Sequence, residues 1–317
     1  LPSVRGGKAR RMVAGCIVRA ARMRQSPYER LILEPHAVAR MLAVGGTFPE
    51  LTASTPLVSP NQVFRIWRKG KSFVLKVYGS DARERRERHA LNALEMLGHL
   101  PRMLDQGAYE QTHWILFEDA GRWNLQSLPE NPGLARKAGS ILARLHDIDA
   151  AALSNLARGI DGDWIALDFT SSVKRLERYR SRLGLTQDQI DLALDVRPPH
   201  AGQPAVAHTD PVLRNFTVDD AGHITLIDWE WATMAPKEWD LSRLIWSTNI
   251  HAGPAAAEAV VEGYGRSVDA VQLDRWIVYH AAQMLVRYAE RNLSARPGDV
   301  PDNLVAEFDR AVLGAGS

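Results

Sequence analysis

Three polar residues between Ala205 and Leu241 stand at spacings suited to handling phosphate and a divalent cation. Asp210 follows the run Ala205-Val-Ala-His208-Thr, Asn215 comes five residues later, and Asp228 closes a second apolar run thirteen residues beyond Asn215. Asn215-Phe-Thr-Val218 and Ile224-Thr-Leu-Ile227 are rich in β-branched and apolar residues. They flank Asp219-Asp-Ala-Gly222, a turn with glycine at its end, so the pattern predicts a β-hairpin. A hairpin brings Asn215 and Asp228 together as hard oxygen ligands of the kind Mg²⁺ prefers, with octahedral positions left for phosphate oxygens and water. Asp210, on the preceding loop, is left to face an incoming hydroxyl. A generic hairpin with solvated polar residues explains any one of these positions but not the set.

These elements also carry a resemblance. His208-Thr-Asp-Pro-Val-Leu-Arg-Asn215, then Leu226-Ile-Asp-Trp-Glu230 and Pro236-Lys-Glu-Trp-Asp-Leu241, resembles the aminoglycoside phosphotransferase and choline kinase family, the small-molecule relatives of protein kinases. The resemblance implies an α+β, two-lobed protein-kinase-like fold with a small antiparallel-sheet N-lobe and a larger, mostly helical C-lobe. It makes Asp210 the catalytic aspartate, with His208 shaping the catalytic loop, Asn215 and Asp228 holding Mg²⁺, and Asp240 tying the loop to a following helix. Thr209 stands where the family carries glycine.

Such a site needs a nucleotide-binding half. Phe73-Val-Leu-Lys-Val-Tyr78 is a β-rich run with one lysine at its middle, and a central strand seldom keeps an unpaired charge. Lys76 is therefore the candidate for gripping the α- and β-phosphates, as the corresponding lysine does in protein kinases. Ser80-Asp81 then opens a helical segment. Glu87, followed by Leu91, Leu94 and Leu97, is the candidate partner of that lysine, and Glu84, three residues earlier, is the alternative. The segments Thr52 to Val58 and Gln62 to Trp67 read as strands joined by Ser59-Pro60-Asn61, without the glycine that would let backbone N–H groups approach phosphate closely. Ser59 and Asn61 are the phosphate-contact candidates there. His113 to Gly121 reads as a strand breaking at glycine and resembles the hinge that presents backbone groups to a base, with Phe117 behind it and Glu118 to Ala120 supplying main-chain contacts.

A chain of 317 residues, 45% hydrophobic and 24% charged, can bury a large core and suits a bilobal enzyme. The expected division is a basic, disordered tail over 1–27, a nucleotide-binding lobe over 28–118 and a catalytic and substrate-binding lobe over 119–317. Cys16 is the only cysteine, which excludes an internal disulfide and suits a cytoplasmic protein. Seven basic and no acidic side chains fall in residues 1–28; the rest carries 32 basic against 37 acidic residues, so the body is formally −5. That balance speaks against a nucleic-acid-tracking surface, and no apolar run approaches a membrane span. Neither partner is expected, and the chain is expected to act as a monomer or homodimer.

From Leu134 onward, apart from the hairpin, the chain reads mainly as helix, over Leu134 to His146, Phe169 to Arg182, Gln187 to Leu194, Lys237 to Thr248, Pro254 to Tyr264 and Leu273 to Asn292. The functional expectation is transfer of the γ-phosphoryl of ATP or GTP to a hydroxyl of a small molecule. Residues 237–317 hold eleven acids against eight bases, and Asp161-Gly-Asp163-Trp164 adds acids on a loop, which favours an aminoglycoside-like or other amine-bearing acceptor. Trp229, Trp231, Trp239, Trp246 and Trp276 supply either an aromatic cage for a quaternary ammonium or core packing. Glu230 belongs to the metal shell, the substrate site or the exposed surface. A choline-, homoserine- or sugar-type metabolite kinase, or a catalytically silent kinase-like binding protein, is the alternative.

Overall fold

The computed structural model describes residues 50–53, 61–68, 70–109, 112–149, 162–200, 202, 204–291 and 301–316. The basic arm and Ser59 lie outside them. Packing divides the chain into two compact units, with boundaries after Glu84, Arg102 and Asp119.

In the first unit β1 (Glu50–Ala53), β2 (Gln62–Arg68), β3 (Lys71–Tyr78), β4 (Met103–Tyr109) and β5 (Thr112–Glu118) form an antiparallel sheet in the order β1-β2-β3-β5-β4. Strand alternation sends Leu75 and Val77 of β3 into a core with Phe64, Ile66 and Trp114, and sends Lys76 to the other face. The following helix, α1 (Asp81–Ala93), begins where the Ser80 carbonyl accepts the N–H groups of Arg83 and Glu84. Its first turn groups with the sheet and the remainder with the second unit.

The second unit takes in β6 (Trp123–Asn124), α2 (Pro132–His146), α3 (Gly162–Leu183), α4 (Gln187–Asp195), β7 (Pro204–Ala207), β8 (Phe216–Val218), β9 (Ile224–Leu226), β10 (Thr233–Pro236), α5 (Lys237–Ala252), α6 (Pro254–Tyr264), α7 (Ala270–Arg291) and α8 (Asp302–Ala315). β6, β8 and β9 make one small antiparallel sheet, and β7 pairs with β10 in another. No described helix is long and apolar enough to cross a membrane.

Three differences from the sequence expectation matter. α3 starts at Gly162, so Asp163 and Trp164 open a helix rather than sit on a loop; Asp161 lies outside the described residues. The reason is that the buried stripe Ile165, Phe169, Val173 and Leu176 extends the helical period back from Phe169. β10 and α8 were not anticipated, the first because four residues give too short a pattern. Asn215 closes a 3₁₀ turn, Leu213–Asn215, instead of starting a strand. The Ile227 N–H still donates to the Asn215 carbonyl at 2.8 Å, so one backbone bond beyond β8 and β9 ties Asn215 to the residue before Asp228.

Candidate active site

Helix α5 organises the loop that carries Asp210. Residues Trp239 to Thr248 are all buried, so every polar side chain among them needs a partner. Asp240 is fully buried. Its Oδ2 accepts the His208 N–H at 2.7 Å and its Oδ1 the Thr209 N–H at 2.7 Å. His146 of α2 supports the same carboxylate from 3.4 Å while its Nδ1 meets the Tyr264 hydroxyl at 2.9 Å; it is a packing residue. One turn along α5, buried Arg243 reaches Asp210 itself, with Nε 3.1 Å and Nη2 2.9 Å from Oδ1. Asp240 thus fixes the backbone of the loop and Arg243 fixes the Asp210 side chain, from neighbouring positions on one helix face.

Arg243 was missed by sequence reasoning. The available signal was Trp-Asp-Leu-Ser-Arg-Leu-Ile-Trp, an otherwise apolar stretch in which a buried guanidinium requires a carboxylate. Arg214, directly before Asn215, donates to Asp210 Oδ2 at 3.3 Å; its side chain is 56% exposed, whereas that of Arg243 is 6% exposed. Burial alone would raise the Asp210 carboxyl, but the Arg243 and Arg214 guanidiniums override it and hold it down at about 2. The carboxylate is therefore ionised and oriented, and it is a weak base.

Thr209 occupies left-handed backbone, φ 69°, which explains why glycine suits this position. A β-branched residue there costs roughly 1–2 kcal/mol. Its retention has visible support, since the Thr209 hydroxyl donates to the Trp231 carbonyl at 3.0 Å and the Thr209 carbonyl accepts from Trp239 Nε1 at 2.9 Å. His208 is fully buried and edge-on to Trp229, with centroids 4.7 Å apart. Its Nδ1 accepts the Asp210 N–H at 3.3 Å, which leaves Nε2–H to donate to the Ile227 carbonyl at 2.9 Å. His208 braces the loop against the hairpin and has no exposed atom with which to touch a substrate.

The hairpin end gathers oxygen ligands. Asn215 is buried, and its amide nitrogen donates to the Asp210 carbonyl at 2.8 Å, leaving Oδ1 with no partner among the described residues. Asp228 is also left-handed, φ 72°, a conformation Asp tolerates better than most residues. Carboxylate oxygens of Glu87, Asp228 and Glu230 lie within 4.8 Å of one another. Glu87 is 1% exposed and its Oε1 accepts the Trp229 N–H at 3.2 Å. Glu230 is 3% exposed, which removes the exposed role left open for it. Three such carboxylates repel unless a cation is shared. Together with Asn215 Oδ1, this donor set fits Mg²⁺.

The first unit presents its candidates separately. Lys76 is 7% exposed, opposite Val63 and Ile115, with Nζ 5.1 Å from the Tyr78 ring centroid. Asn61 is 1% exposed, and its Oδ1 accepts the Gly79 N–H at 3.2 Å, so that oxygen ties the start of β2 to the end of β3. Phe117 is buried, Glu118 is exposed, and the neighbouring Asp119 pairs with Arg65 at 2.8 Å. In the second unit the Ala120 carbonyl accepts the Thr217 hydroxyl at 3.5 Å.

Four of the eleven acids of residues 237–317 pair with arginines among the described residues. Glu262 pairs with Arg136, Glu290 with Arg175, and Asp274 and Glu307 with Arg310. Among the described residues the tryptophans make packing contacts. Trp229 packs on His208, Trp239 and Trp276 pack with Tyr279 and His280, and exposed Trp231 lies 5.4 Å from the Arg86 guanidinium.

The sequence pattern of the phosphotransferase enzyme family matches residues 57–276. No curated protein matches the chain by sequence. Among solved structures, spectinomycin phosphotransferase APH(9)-Ia in complex with ADP and spectinomycin is similar with a TM-score of 0.64 and 15% identity, covering 90% of this chain and 99% of that one. A choline/ethanolamine kinase family protein from Mesorhizobium loti gives 0.59 and 18%, covering 89% and 94%. Aminoglycoside phosphotransferase APH(4)-Ia, in a ternary complex with AMP-PNP and hygromycin B, gives 0.61 and 16%, covering 89% and 100%. At such identities the likeness carries the two-lobed, kinase-like α+β fold.

Proposed function

The chain belongs to the phosphotransferase enzyme family, and from that premise we propose that it is an ATP- or GTP-dependent small-molecule kinase whose catalytic group is Asp210. The observation that carries this reading is the loop and hairpin themselves. One buried helix holds the His208 and Thr209 backbone and the Asp210 carboxylate, and one backbone bond ties Asn215 to Ile227, the residue before Asp228.

In this reading the acceptor hydroxyl donates a hydrogen bond to Asp210 Oδ2, the oxygen whose partner, Arg214, is exposed and able to swing aside. The hydroxyl oxygen forms a bond to the γ-phosphorus while the bond from that phosphorus to the β,γ-bridging oxygen breaks, and the nucleoside diphosphate leaves. The hydroxyl proton passes to Asp210 late, as fits a carboxylate held near 2 and a loose transition state in which positioning dominates. Asn215, Asp228 and the neighbouring Glu87 and Glu230 would hold Mg²⁺, which when bound supplies charge neutralisation to the phosphates. Lys76 adds a cation for the nucleotide phosphates, with Phe117, Glu118 and Ala120 as the base-side segment and Ser59 and Asn61 in the turn before β2.

Transfer of a labelled γ-phosphoryl group from ATP and from GTP to a panel of hydroxyl compounds tests the proposal. Mg²⁺-dependent labelling of at least one acceptor by wild type, lost in Asp210→Ala, is expected. Mg·nucleotide binding without transfer to any hydroxyl, across aminoglycosides, choline, homoserine, sugars and hydroxy acids, would instead identify a silent binding protein.

A further inference from the structure

The two oxygens of the Asp210 carboxylate are held in different ways. Oδ1 accepts both Nε–H and Nη2–H of buried Arg243, which fills its two lone-pair positions. Among the described residues Oδ2 accepts one N–H, from Arg214 Nη2 at 3.3 Å. The backbone fixes where that arginine starts. The Asp210 carbonyl accepts the Val212 N–H at 2.9 Å and the Asn215 amide at 2.8 Å, and the Asn215 N–H donates to the Val212 carbonyl at 2.8 Å. Residues 210–215 are therefore one tight turn. Leu213, whose N–H donates to Ser247 Oγ of α5 at 3.2 Å, and Asn215 are buried, so Arg214 is the exposed side chain of the 3₁₀ turn. It folds back over the carboxylate four residues before it. An exposed ion pair of this kind is weak, and exposed side chains change rotamer far faster than phosphoryl transfer proceeds. Arg243 is thus a fixed support of Asp210 and Arg214 a removable cover.

We infer that Arg214 reserves Asp210 for the acceptor: its guanidinium covers Oδ2 while no acceptor is bound, so that water is not oriented there, and the acceptor hydroxyl displaces it. The inference rests on the phosphotransferase reading and assigns to that site a positioning residue that selects an acceptor hydroxyl over water. The reaction it suppresses is hydrolysis. A water oxygen would form the bond to the γ-phosphorus while the bond from that phosphorus to the β,γ-bridging oxygen breaks. Nucleoside diphosphate and inorganic phosphate would leave, and one water proton would pass to Asp210 Oδ2 and on to solvent. The acceptor wins the exchange because the rest of its structure contributes binding energy toward displacing the guanidinium, whereas a water molecule has no other atoms to bind.

Release of inorganic phosphate from saturating Mg·ATP and Mg·GTP, with no acceptor present, tests this, with calorimetric binding of both nucleotides measured alongside. The proteins compared are wild type, Arg214→Ala, Arg214→Lys and the double variant Arg214→Ala with Asp210→Asn. Arg214 is exposed, so its replacement leaves the packing intact. Arg214→Ala is expected to hydrolyse nucleotide about fivefold faster than wild type or more, and Arg214→Lys, which keeps a cation near Oδ2, to stay within about twofold of wild type. The double variant should fall back to the wild-type rate or below. A gain is diagnostic, because damage to the loop slows hydrolysis. An unchanged or slower rate in Arg214→Ala, an equal gain in Arg214→Lys, or a gain that survives Asp210→Asn overturns the inference and leaves the phosphotransferase reading standing. Failure of wild type to bind either nucleotide would instead sink that reading, and the inference with it.

Discussion

Asp210 owes its charge state to Arg243, and the consequence is measurable in two ways. The folded carboxyl lies near 2 against an ordinary 3.8, so it is depressed. Its contribution to stability, about 2 kcal/mol, is complete above pH about 4 and is lost as pH falls toward 2. In Arg243→Met burial acts with much less opposition, and the acid limb of the pH profile of kcat/KM should move to higher pH; an unmoved limb would show that Arg243 does not set the Asp210 charge. Thr209 offers a second residue-scale test. Thr209→Gly relieves roughly 1–2 kcal/mol of left-handed strain. It also gives up a hydrogen bond worth about 1 kcal/mol and adds unfolded-state freedom worth about 0.5–1 kcal/mol. Denaturant unfolding should therefore place Thr209→Gly within about 1 kcal/mol of wild type. Thr209→Val, which keeps the strain and loses the bond, should cost about 1–3 kcal/mol.

At the scale of elements, the close approach of α2 and α6 explains two glycines that no turn requires. A Cβ on Gly139 would lie 2.1 Å from the Val260 carbonyl oxygen, and one on Gly263 would lie 1.9 Å from the Arg136 carbonyl oxygen. Gly139→Ala and Gly263→Ala should each lower unfolding stability by about 1–3 kcal/mol through overpacking against backbone. An unchanged melting temperature in either would mean the helices separate without cost. These contacts were not legible in the sequence, because a glycine chosen for close packing looks like any other helical glycine. The hairpin was legible, since alternating β-branched residues and the Asp219 to Gly222 turn are a short-range signal. So were Lys76, on a strand of obvious β composition, and the apolar stripes of α2, α6 and α7. Arg243 and the β7–β10 pair depend on which segments meet across some thirty residues, and local pattern carries little of that. Counting acids along residues 237–317 cannot show that arginines elsewhere already pair with several of them.

For the whole molecule, the family pattern over residues 57–276 carries the family, and solved structures of 15–18% identity carry the fold. If the hairpin end holds Mg²⁺ as proposed, binding must feed into global stability. Mg·ATP at 100 times its dissociation constant should stabilise the fold by about 2.7 kcal/mol. Asp228→Asn should lose most of that gain at the same concentrations, and retention of the full Mg²⁺-dependent shift would remove Asp228 from the ligand set. The most direct test of the central claim is single-turnover transfer of the labelled γ-phosphoryl by wild type and Asp210→Asn, with Mg·ATP affinity measured on both. The account predicts a transfer rate lower by roughly 10²-fold or more in the variant, with unchanged nucleotide affinity. Near-normal transfer by Asp210→Asn would contradict it.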